Sequence, residues 1–358
     1  MKTSFSTNEK GKKNEEKKEE RKDFWDAFFF SCIILAVVLI FFMCFAIRDF
    51  NDNIKKHNLN YQWPKLSELI PSIFILPLIM AYKTIIEYLS KPFSELCLAK
   101  KYKEAKTEKM KKLANIYRHK LPRHIYKITF YVGITIYGYY VLKNLPYFPK
   151  SMLGNGYMPK MFLKGFPDSY FHERTPLFIL YYNISLAYFV NDFIFLFIME
   201  RQSDFIKMLL HHTCTISLII FSYVTNYSNI GSLVIFCHME SDILLHVTRF
   251  LLQTDNPVPL VGFIGIIFTI NFIYMRQFVF GEMIYTIYRY ITWRWGIITT
   301  TLWLFLVMLY ILHIHWSYIL LSKTFELLKT KKGIVDDINY EKIISNKKKG
   351  NSDKKKIN

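Results

Sequence analysis

Cysteine is scarce in this chain, and its few positions argue against two kinds of small structured site. The 358 residues include five cysteines, at positions 32, 44, 97, 214 and 237. Four of them lie inside apolar runs, and none has the spacing of a metal-ligand pair. The sequence therefore indicates neither a disulfide framework nor a cysteine-based metal site. We interpret the thiols as small buried hydrophobic side chains.

Acidic residues are also few, and the excess of basic residues is concentrated in two segments. Asp and Glu number 28 against 47 Lys and Arg, which gives a net charge of +19. Residues 91–123 and residues 322–358 hold eleven Lys or Arg each, whereas residues 144–175 hold four. Both basic segments flank apolar runs, so the positive-inside rule and anionic lipid head groups account for the charge. We expect a membrane lipid surface and no nucleic acid as the partner of these segments.

Long apolar runs dominate the rest of the sequence. Apolar residues make up 52% of the chain, and several runs exceed the length that a membrane helix needs. A soluble protein would require many helices that are hydrophobic on all sides. The sequence therefore predicts an all-α, multi-pass integral membrane helical bundle of about seven or eight transmembrane helices. The predicted spans are 27–47, 69–89, 125–143, 176–199, 209–227, 231–251, 258–280 and 297–321.

The charge pattern divides the chain and orients it. We predict a disordered, charged cytosolic segment over 1–26, an extra transmembrane anchor and loop over 27–60, and a transmembrane helix with a basic cytosolic loop over 61–124. The main helical domain is expected at 125–325, followed by a Lys-rich cytosolic tail over 326–358. Eight spans put both ends of the chain on the cytosolic side. The final Lys355-Lys356-Ile357-Asn358 resembles a retrieval signal of the endoplasmic reticulum, so we expect that membrane as the location.

Titratable side chains inside two neighbouring apolar runs are the best indication of function. His211 and His212 lie in one run, and His238, Asp242 and His246 lie in the next. An Asp at the centre of a span costs at least ~2.5 kcal/mol, so its presence requires a reason. If the two runs are antiparallel helices joined by a tight turn at 226–231, the His pair and Asp242 differ by only ~5 Å in depth. We therefore expect them to face each other in the cytosolic half of the bilayer.

Three interpretations of this constellation remain open. The residues could form a buried polar network that only holds two helices together. They could ligate iron or zinc through His238, Asp242 and His246 together with the His pair. They could perform general-base or nucleophilic chemistry on a lipid. We favour the third, because the polar groups exceed what helix packing needs and no further His-rich motif supports a metal. The predicted catalytic residues are His211, His212, His238 and Asp242, without a metal.

The pattern of residues 204–245 resembles the signature of the ceramide synthases, which carry a TLC domain. The matching elements are His211-His212-x-x-Thr215, Phe221-Ser222-Tyr223 and His238-x-x-Ser241-Asp242. Further similar elements are Arg276-x-Phe278-Val279-Phe280 and Leu312-His313-x-x-Trp316. The resemblance covers roughly 65–335, and it implies that residues 125–325 are a catalytic TLC domain. In one respect the chain departs from the family pattern, since Met239 stands where an acidic residue is usual.

The resemblance implies a sphingosine N-acyltransferase of the endoplasmic reticulum. Such an enzyme transfers a fatty acyl group from acyl-CoA to the amine of a sphingoid base and yields (dihydro)ceramide. It uses acyl-CoA as a co-substrate, needs no other cofactor, and is compatible with a homo- or heterodimer. The alternative is a non-enzymatic TLC-domain protein of lipid sensing or trafficking. Six residues are expected to bind substrate: Ser222, Tyr223, Ser241, His246, Arg249 and Arg276.

Overall fold

The computed structural model describes residues 25–48, 64–104, 107–156, 174–199, 204–254, 256–290 and 296–330, and these are almost entirely α-helical. The β-structure of these ranges consists of two isolated bridges, Leu98–Thr254 and Pro149–Gly156. The predicted all-α class is therefore confirmed. The terminal segments 1–24 and 331–358, with the predicted disorder and the retrieval signal, lie outside the described residues.

Eight long helices form the bundle in the described ranges. Short 3₁₀ turns at Leu66–Leu69 and Lys150–Met152 and a single helical turn at Lys100–Lys103 complete it. A π-helical turn, Tyr274–Val279, joins two α-helical segments, Val258–Ile273 and Phe280–Tyr290, into one long helix. The helices are α1 (Trp25–Arg48), α2 (Pro71–Cys97), α3 (Glu108–Leu142), α4 (Pro176–Ile198), α5 (Phe205–Val224), α6 (Ser228–Leu252), α7 (Val258–Ile273, continuing to Phe280–Tyr290) and α8 (Gly296–Thr330).

Seven of these helices are long and apolar enough to cross a membrane, which makes the chain a multi-pass membrane protein. The exception is α3, whose second half contains the predicted span 125–143. That half is helical but rich in tyrosine, and the first half carries much of the predicted basic loop. Helix α3 nevertheless packs inside the bundle against α2, α4 and α6. The predicted division between residues 124 and 125 falls within this single helix.

Local sequence signals explain where two of the helices begin. The Thr107 hydroxyl accepts a hydrogen bond from the Met110 amide at 3.3 Å and caps α3. The Thr175 hydroxyl accepts from the Phe178 amide at 3.2 Å, and Pro176 follows directly in the first turn of α4. Threonine at the cap and proline just after it are the residues that favour helix initiation.

Helices α5 and α6 form the antiparallel pair that the sequence predicts. Helix α5 ends at Val224 and α6 begins at Ser228, and Asn226 between them adopts a φ of 62°. A β-carbon at Gly231 would overlap the Tyr182 hydroxyl and the Ser222 Oγ. Glycine at this position therefore allows α4, α5 and α6 to approach closely. Helix α6 is the most buried of the seven spans and packs against α3, α5 and α7.

A charged clamp closes the end of the bundle at which this turn lies. Arg174 donates to Glu68 Oε2 at 2.9 Å, and the Tyr223 hydroxyl donates to the same oxygen. The Asn183 amide donates to the Glu68 carbonyl at 2.9 Å and accepts from the Ser72 amide at 2.9 Å. The clamp joins the start of α2 to α4 and to the end of α5. We call the opposite end, where α2 ends and α3 and α5 begin, the basic end.

Replacement of Gly231 with alanine should destabilise the bundle. The added methyl group must displace Tyr182 and Ser222, so we expect a loss of about 1–3 kcal/mol in the free energy of unfolding. Thermal unfolding of the purified protein in detergent measures the change. Gly133→Ala in α3 is the matched control, because a β-carbon at Gly133 would have no neighbouring atom within 4 Å. The explanation is wrong if both variants unfold at the wild-type temperature.

Candidate functional site

Three buried histidines from three helices meet near the basic end of the bundle. His211 of α5 lies 5.4 Å from His238 of α6, between ring centroids, and the two rings are nearly parallel. His313 of α8 lies 5.1 Å from His238. Trp316, one turn further along α8, packs edge-on against His211 at 5.4 Å. All three histidines are at most 6% exposed. We call His211, His238 and His313 the histidine cluster.

Hydrogen bonds fix the tautomers of two histidines in the cluster. His238 Nδ1 lies 2.7 Å from the Val234 carbonyl, which can only accept, so Nδ1 carries the proton. His238 Nε2 therefore carries a lone pair, and this nitrogen has no hydrogen-bond partner among the described residues. His313 Nε2 lies 3.0 Å from Arg276 Nη1 and accepts from it, so the proton of neutral His313 is on Nδ1. His238 thus offers an acceptor to the cluster, and His313 offers a donor.

Arg276 connects the histidine cluster to the Asp242 carboxylate, the one carboxylate to which it is hydrogen-bonded in the described structure. Its guanidinium donates to Ser241 Oγ at 2.7 Å, to His313 at 3.0 Å, to the His238 carbonyl at 3.2 Å and to Asp242 Oδ1 at 2.9 Å. The side chain of Arg276 is 3% exposed. It lies in the π-helical turn of α7, and such turns redirect side chains at functional sites. The sequence predicts that Arg276 binds substrate; in the structure its guanidinium is hydrogen-bonded to protein groups, and its role in binding stays a prediction.

Asp242 does not orient a histidine as the sequence suggests. Its carboxylate pairs with Arg276, and no described hydrogen bond joins it to His211 or His212. The prediction that the His pair faces Asp242 is therefore corrected: His211 faces His238 and His313 instead. Ser241 also belongs to this network through Arg276.

The position of the missing acid is filled by a buried apolar side chain. Met239 is fully buried in the core. Its neighbour Glu240 accepts a hydrogen bond from Asn271 of α7 at 3.2 Å. Glu240 therefore turns away from the cluster and does not replace the usual acid.

His212 points to another side of α5, although its ring still lies 5.4 Å from the His211 ring. Its ring lies 6.5 Å from Phe193 of α4 and within electrostatic reach of Asp192. Asp192 accepts a hydrogen bond from Lys127 of α3 at 2.7 Å. The His pair thus divides its contacts, with one ring in the cluster and the other beside a partly buried ion pair.

His246 lies in a different group from His238 and Asp242. Its Nδ1 is 3.1 Å from His124 Nδ1, and its ring stacks on Tyr131 at 5.5 Å. His124 Nε2 in turn lies 3.3 Å from the Gln253 amide nitrogen, which donates to it. Arg249, one turn beyond His246, is exposed at the basic end. Neither His246 nor Arg249, both predicted to bind substrate, is part of the histidine cluster.

Ser222 and Tyr223 lie near the clamped end of the bundle. They follow His211 by eleven residues or more, which is about 16 Å along a helix. Ser222 donates to the Ile219 carbonyl at 3.3 Å, and Tyr223 belongs to the Glu68 clamp. The structure therefore gives both residues structural contacts and does not bring them to the cluster.

A narrow, almost entirely apolar crevice starts one turn from the cluster and runs toward the clamped end. It begins beside Val234, whose carbonyl holds His238. At its other end the Tyr227 and Thr299 hydroxyls are hydrogen-bonded at 3.0 Å. Its apolar lining includes Leu218, Ile230, Val234, Ile287, Leu302 and Leu306.

The histidine cluster has the spacing of a metal site but not the chemistry. One nitrogen from each of its three rings lies within 4.8 Å of the others. However, His313 Nε2 accepts a hydrogen bond from Arg276 and Nδ1 of the neutral ring carries the proton, so His313 has no free lone pair for a metal. The guanidinium charge beside the cluster also opposes a cation. The metal-binding set considered from sequence, with Asp242 and His246, is not brought together, because those residues bind Arg276 and His124.

Sequence reasoning misses four residues that the fold brings to the site. The sequence analysis includes His313 and Trp316 only as part of an element that resembles the family. A histidine in an apolar run is nevertheless itself an indication of a functional site. Asp192 and Lys127 carry the same kind of signal, since each is a single charge within an apolar segment.

Comparisons with known proteins match the helical region that carries the site. Residues 120–322 match the family model of the TLC domain. Human ceramide synthase 1 is 30% identical over 139 residues, 36% of this chain and 35% of that protein. ASC1-like protein 3 of rice (Oryza sativa) is 22% identical over 191 residues, 53% of this chain and 62% of that protein. Sphingosine N-acyltransferase lag1 of Schizosaccharomyces pombe is 24% identical over 159 residues, which are 44% of this chain and 38% of that protein. The chain thus spans less than two thirds of the length of these relatives, and the resemblance predicted from the residues is confirmed.

Replacing Arg276 with methionine should destabilise the folded protein by about 3 kcal/mol, because removal of one partner leaves Asp242 unpaired. Adding Asp242→Asn to the Arg276→Met variant should recover part of this loss, since no unpaired charge then remains. Equilibrium unfolding of the two single variants and the double variant in detergent gives the coupling between the residues. Additive effects of the two substitutions would contradict the pairing.

Proposed function

Because this chain belongs to the TLC-domain family, we propose that it is a ceramide synthase, a sphingosine N-acyltransferase. It would transfer a fatty acyl group from acyl-CoA to the amine of a sphingoid base and release CoA. The observation that carries the proposal is the histidine cluster, with an unpaired ring nitrogen on His238, at the end of an apolar crevice within a membrane bundle. The relatives named ceramide synthase support the same activity.

Amide formation requires a group that accepts a proton from the amine or attacks the thioester, and the histidine cluster contains such groups. A sphingoid amine is mostly protonated at neutral pH and cannot attack a thioester until it loses a proton. The lone pair of His238 Nε2 can accept that proton, and His211 Nδ1 also has no described hydrogen-bond partner. A histidine can alternatively attack the thioester first and form an acyl-imidazole, which the amine then resolves. Both routes use the same nitrogen atoms.

The atoms balance in either route. The amine nitrogen forms a bond to the carbonyl carbon, and the bond from that carbon to sulfur breaks. CoA leaves as the thiol, and one of the two protons lost by the ammonium group is released overall. Arg276 does not take part in this transfer, because its hydrogen bonds already connect Asp242, Ser241 and the two histidines. Its role is to hold His238 and His313 in position.

The surroundings of the cluster suit the two substrates. The apolar side chains that line the crevice next to Val234 would have to move apart to admit the acyl chain, because the crevice has room for only about one water molecule. Acyl-CoA would approach from the basic end, where His212 and the Lys127–Asp192 pair lie. The sphingoid base would enter from the lipid phase. We propose the endoplasmic reticulum membrane as the location, with acyl-CoA as co-substrate and no further cofactor.

Membranes that contain the wild-type protein should N-acylate a labelled sphingoid base when they are given a series of acyl-CoA substrates. His211→Ala should lower turnover by about 10²- to 10⁴-fold, because the histidine acts in proton transfer or in acyl transfer. Product is measured by mass spectrometry, which also reports the preferred chain length.

The matched control is His119→Ala, which removes an exposed histidine of α3 that is distant in sequence from the three residues of the histidine cluster. It should keep wild-type turnover at an equal amount of folded protein. If the wild-type protein yields no N-acylated product with any chain length, the enzyme proposal is wrong, and a non-enzymatic role in lipid sensing or trafficking takes its place.

Acyl-CoA supplied without a sphingoid base distinguishes the two routes. An acyl-imidazole route should release about one CoA per enzyme in a burst and add the mass of the acyl group to the protein. The adduct should map to the peptide with His211 and disappear in His211→Ala. A general-base route should give neither the burst nor the adduct, while turnover with both substrates remains normal.

A further inference from the structure

One face of α4 contacts three positively charged side chains from α2 and α3. Asp192, Phe195 and Met199 follow one another on this face at spacings of three and four residues. Lys127 binds Asp192 at 2.7 Å, the Lys83 ammonium lies 3.0 Å from the centre of the Phe195 ring, and Arg123 Nη1 lies 3.3 Å from Met199 Sδ. We call Lys83, Arg123 and Lys127 the cation stripe.

Two members of the cation stripe lack the oxygen partners that buried charges require. Lys83 is 7% exposed, and no described hydrogen bond or ion pair joins its ammonium group to an oxygen, although it lies over the Phe195 ring. Arg123 Nε is buried without a hydrogen-bond partner, and its contact with Glu87 Oε1 is 3.9 Å long. Packing alone does not explain these donors, because a polar group without a hydrogen bond is costly where it is buried, as Arg123 Nε is, although the Arg123 side chain as a whole is 29% exposed.

The charges of the stripe select the class of ligand. Its three cations face two carboxylates, Asp192 and Glu87, so one positive charge is in excess. The unused donors are those of a guanidinium and an ammonium, which bind phosphate through charge-assisted hydrogen bonds. Asp192 is already occupied by Lys127, and Glu87 lies beyond hydrogen-bonding distance of Arg123. An anion with several oxygen atoms therefore satisfies the stripe better than any described residue does.

The stripe leads from the candidate site to the basic end. Its inner member, Lys127, pairs with the Asp192 carboxylate that lies beside His212. Its outer member, Arg123, lies against Met199, which caps the end of α4. We propose that Lys83 and Arg123 bind a phosphate group of the acyl donor while its thioester reaches His211 and His212. This inference rests on the proposed function, and it names a binding subsite that is separate from the histidine cluster.

A pair of acyl donors tests the subsite. Acyl-CoA carries phosphates, whereas the matching acyl-pantetheine carries the same thioester without them. Arg123→Gln should raise the KM for acyl-CoA about tenfold, which corresponds to the loss of one charged hydrogen bond. It should leave kcat, and the KM for acyl-pantetheine, at the wild-type values. Arg118→Gln is the matched control, because Arg118 is on the same helix but pairs with Glu95 at 3.1 Å on an exposed face.

Lys83→Met gives a second variant that separates binding from folding. Methionine keeps most of the length of the side chain and removes a charge without an oxygen partner, so thermal stability should stay equal or rise. The KM for acyl-CoA should still rise, as in Arg123→Gln. A loss of stability in Lys83→Met would show that the charge is structural and would overturn the proposal.

Several results would contradict the inference without affecting the proposed function. The wild-type protein must first convert both donors, since failure with both refutes the proposed function itself. If Arg123→Gln then changes the KM for both donors equally, or for neither, the stripe does not bind the phosphate. If the defect appears only in nanodiscs that contain anionic lipid, and is the same for both donors, the anion is a lipid head group and the proposal is wrong.

Discussion

The bundle is organised around one buried guanidinium. Arg276 makes four hydrogen bonds to groups of α6 and α8, while α7 carries it. Water is absent from a membrane interior, so every such donor must find its acceptor within the protein. The hydrogen bonds that the Arg276 guanidinium requires therefore determine how α6, α7 and α8 pack against one another. It also determines the tautomer of His313, and its contact with the His238 carbonyl helps to fix the position of that ring. The geometry of the histidine cluster depends on this single side chain.

The adjacent histidines of α5 connect two environments of opposite character. His211 faces rings whose nitrogen atoms are arranged by Arg276 and by the Val234 carbonyl. His212 faces the Lys127–Asp192 pair and, beyond it, charges that lack oxygen partners. Neighbouring residues of a helix point about 100° apart, so one dipeptide can contact both regions. This explains in physical terms why two histidines in sequence are useful at a site that joins an apolar interior to a charged rim.

The sequence was sufficient to predict the elements that depend on local patterns. The apolar runs located the spans, and the antiparallel pair of α5 and α6 followed from the turn near Asn226. The predictions that failed depended on exact rotation. Positions i and i+8 of a helix differ by about 80°, so His246 turns from His238 toward His124 of α3. The partner of Asp242 could not be predicted, because the π-helical turn shifts the register of Arg276. Neither effect has a signal in hydrophobic periodicity.

Met239 is consistent with a site that contains a single buried ion pair. The carboxylate of Asp242 and the guanidinium of Arg276 balance each other's charge. A second carboxylate at position 239 would be fully buried, and it would require another positive charge or a proton. The orientation of His238 does not need that acid, because the Val234 carbonyl already holds Nδ1. The substitution therefore removes a charge that the described site can do without, and it leaves intact the contacts that position the reactive nitrogen atoms.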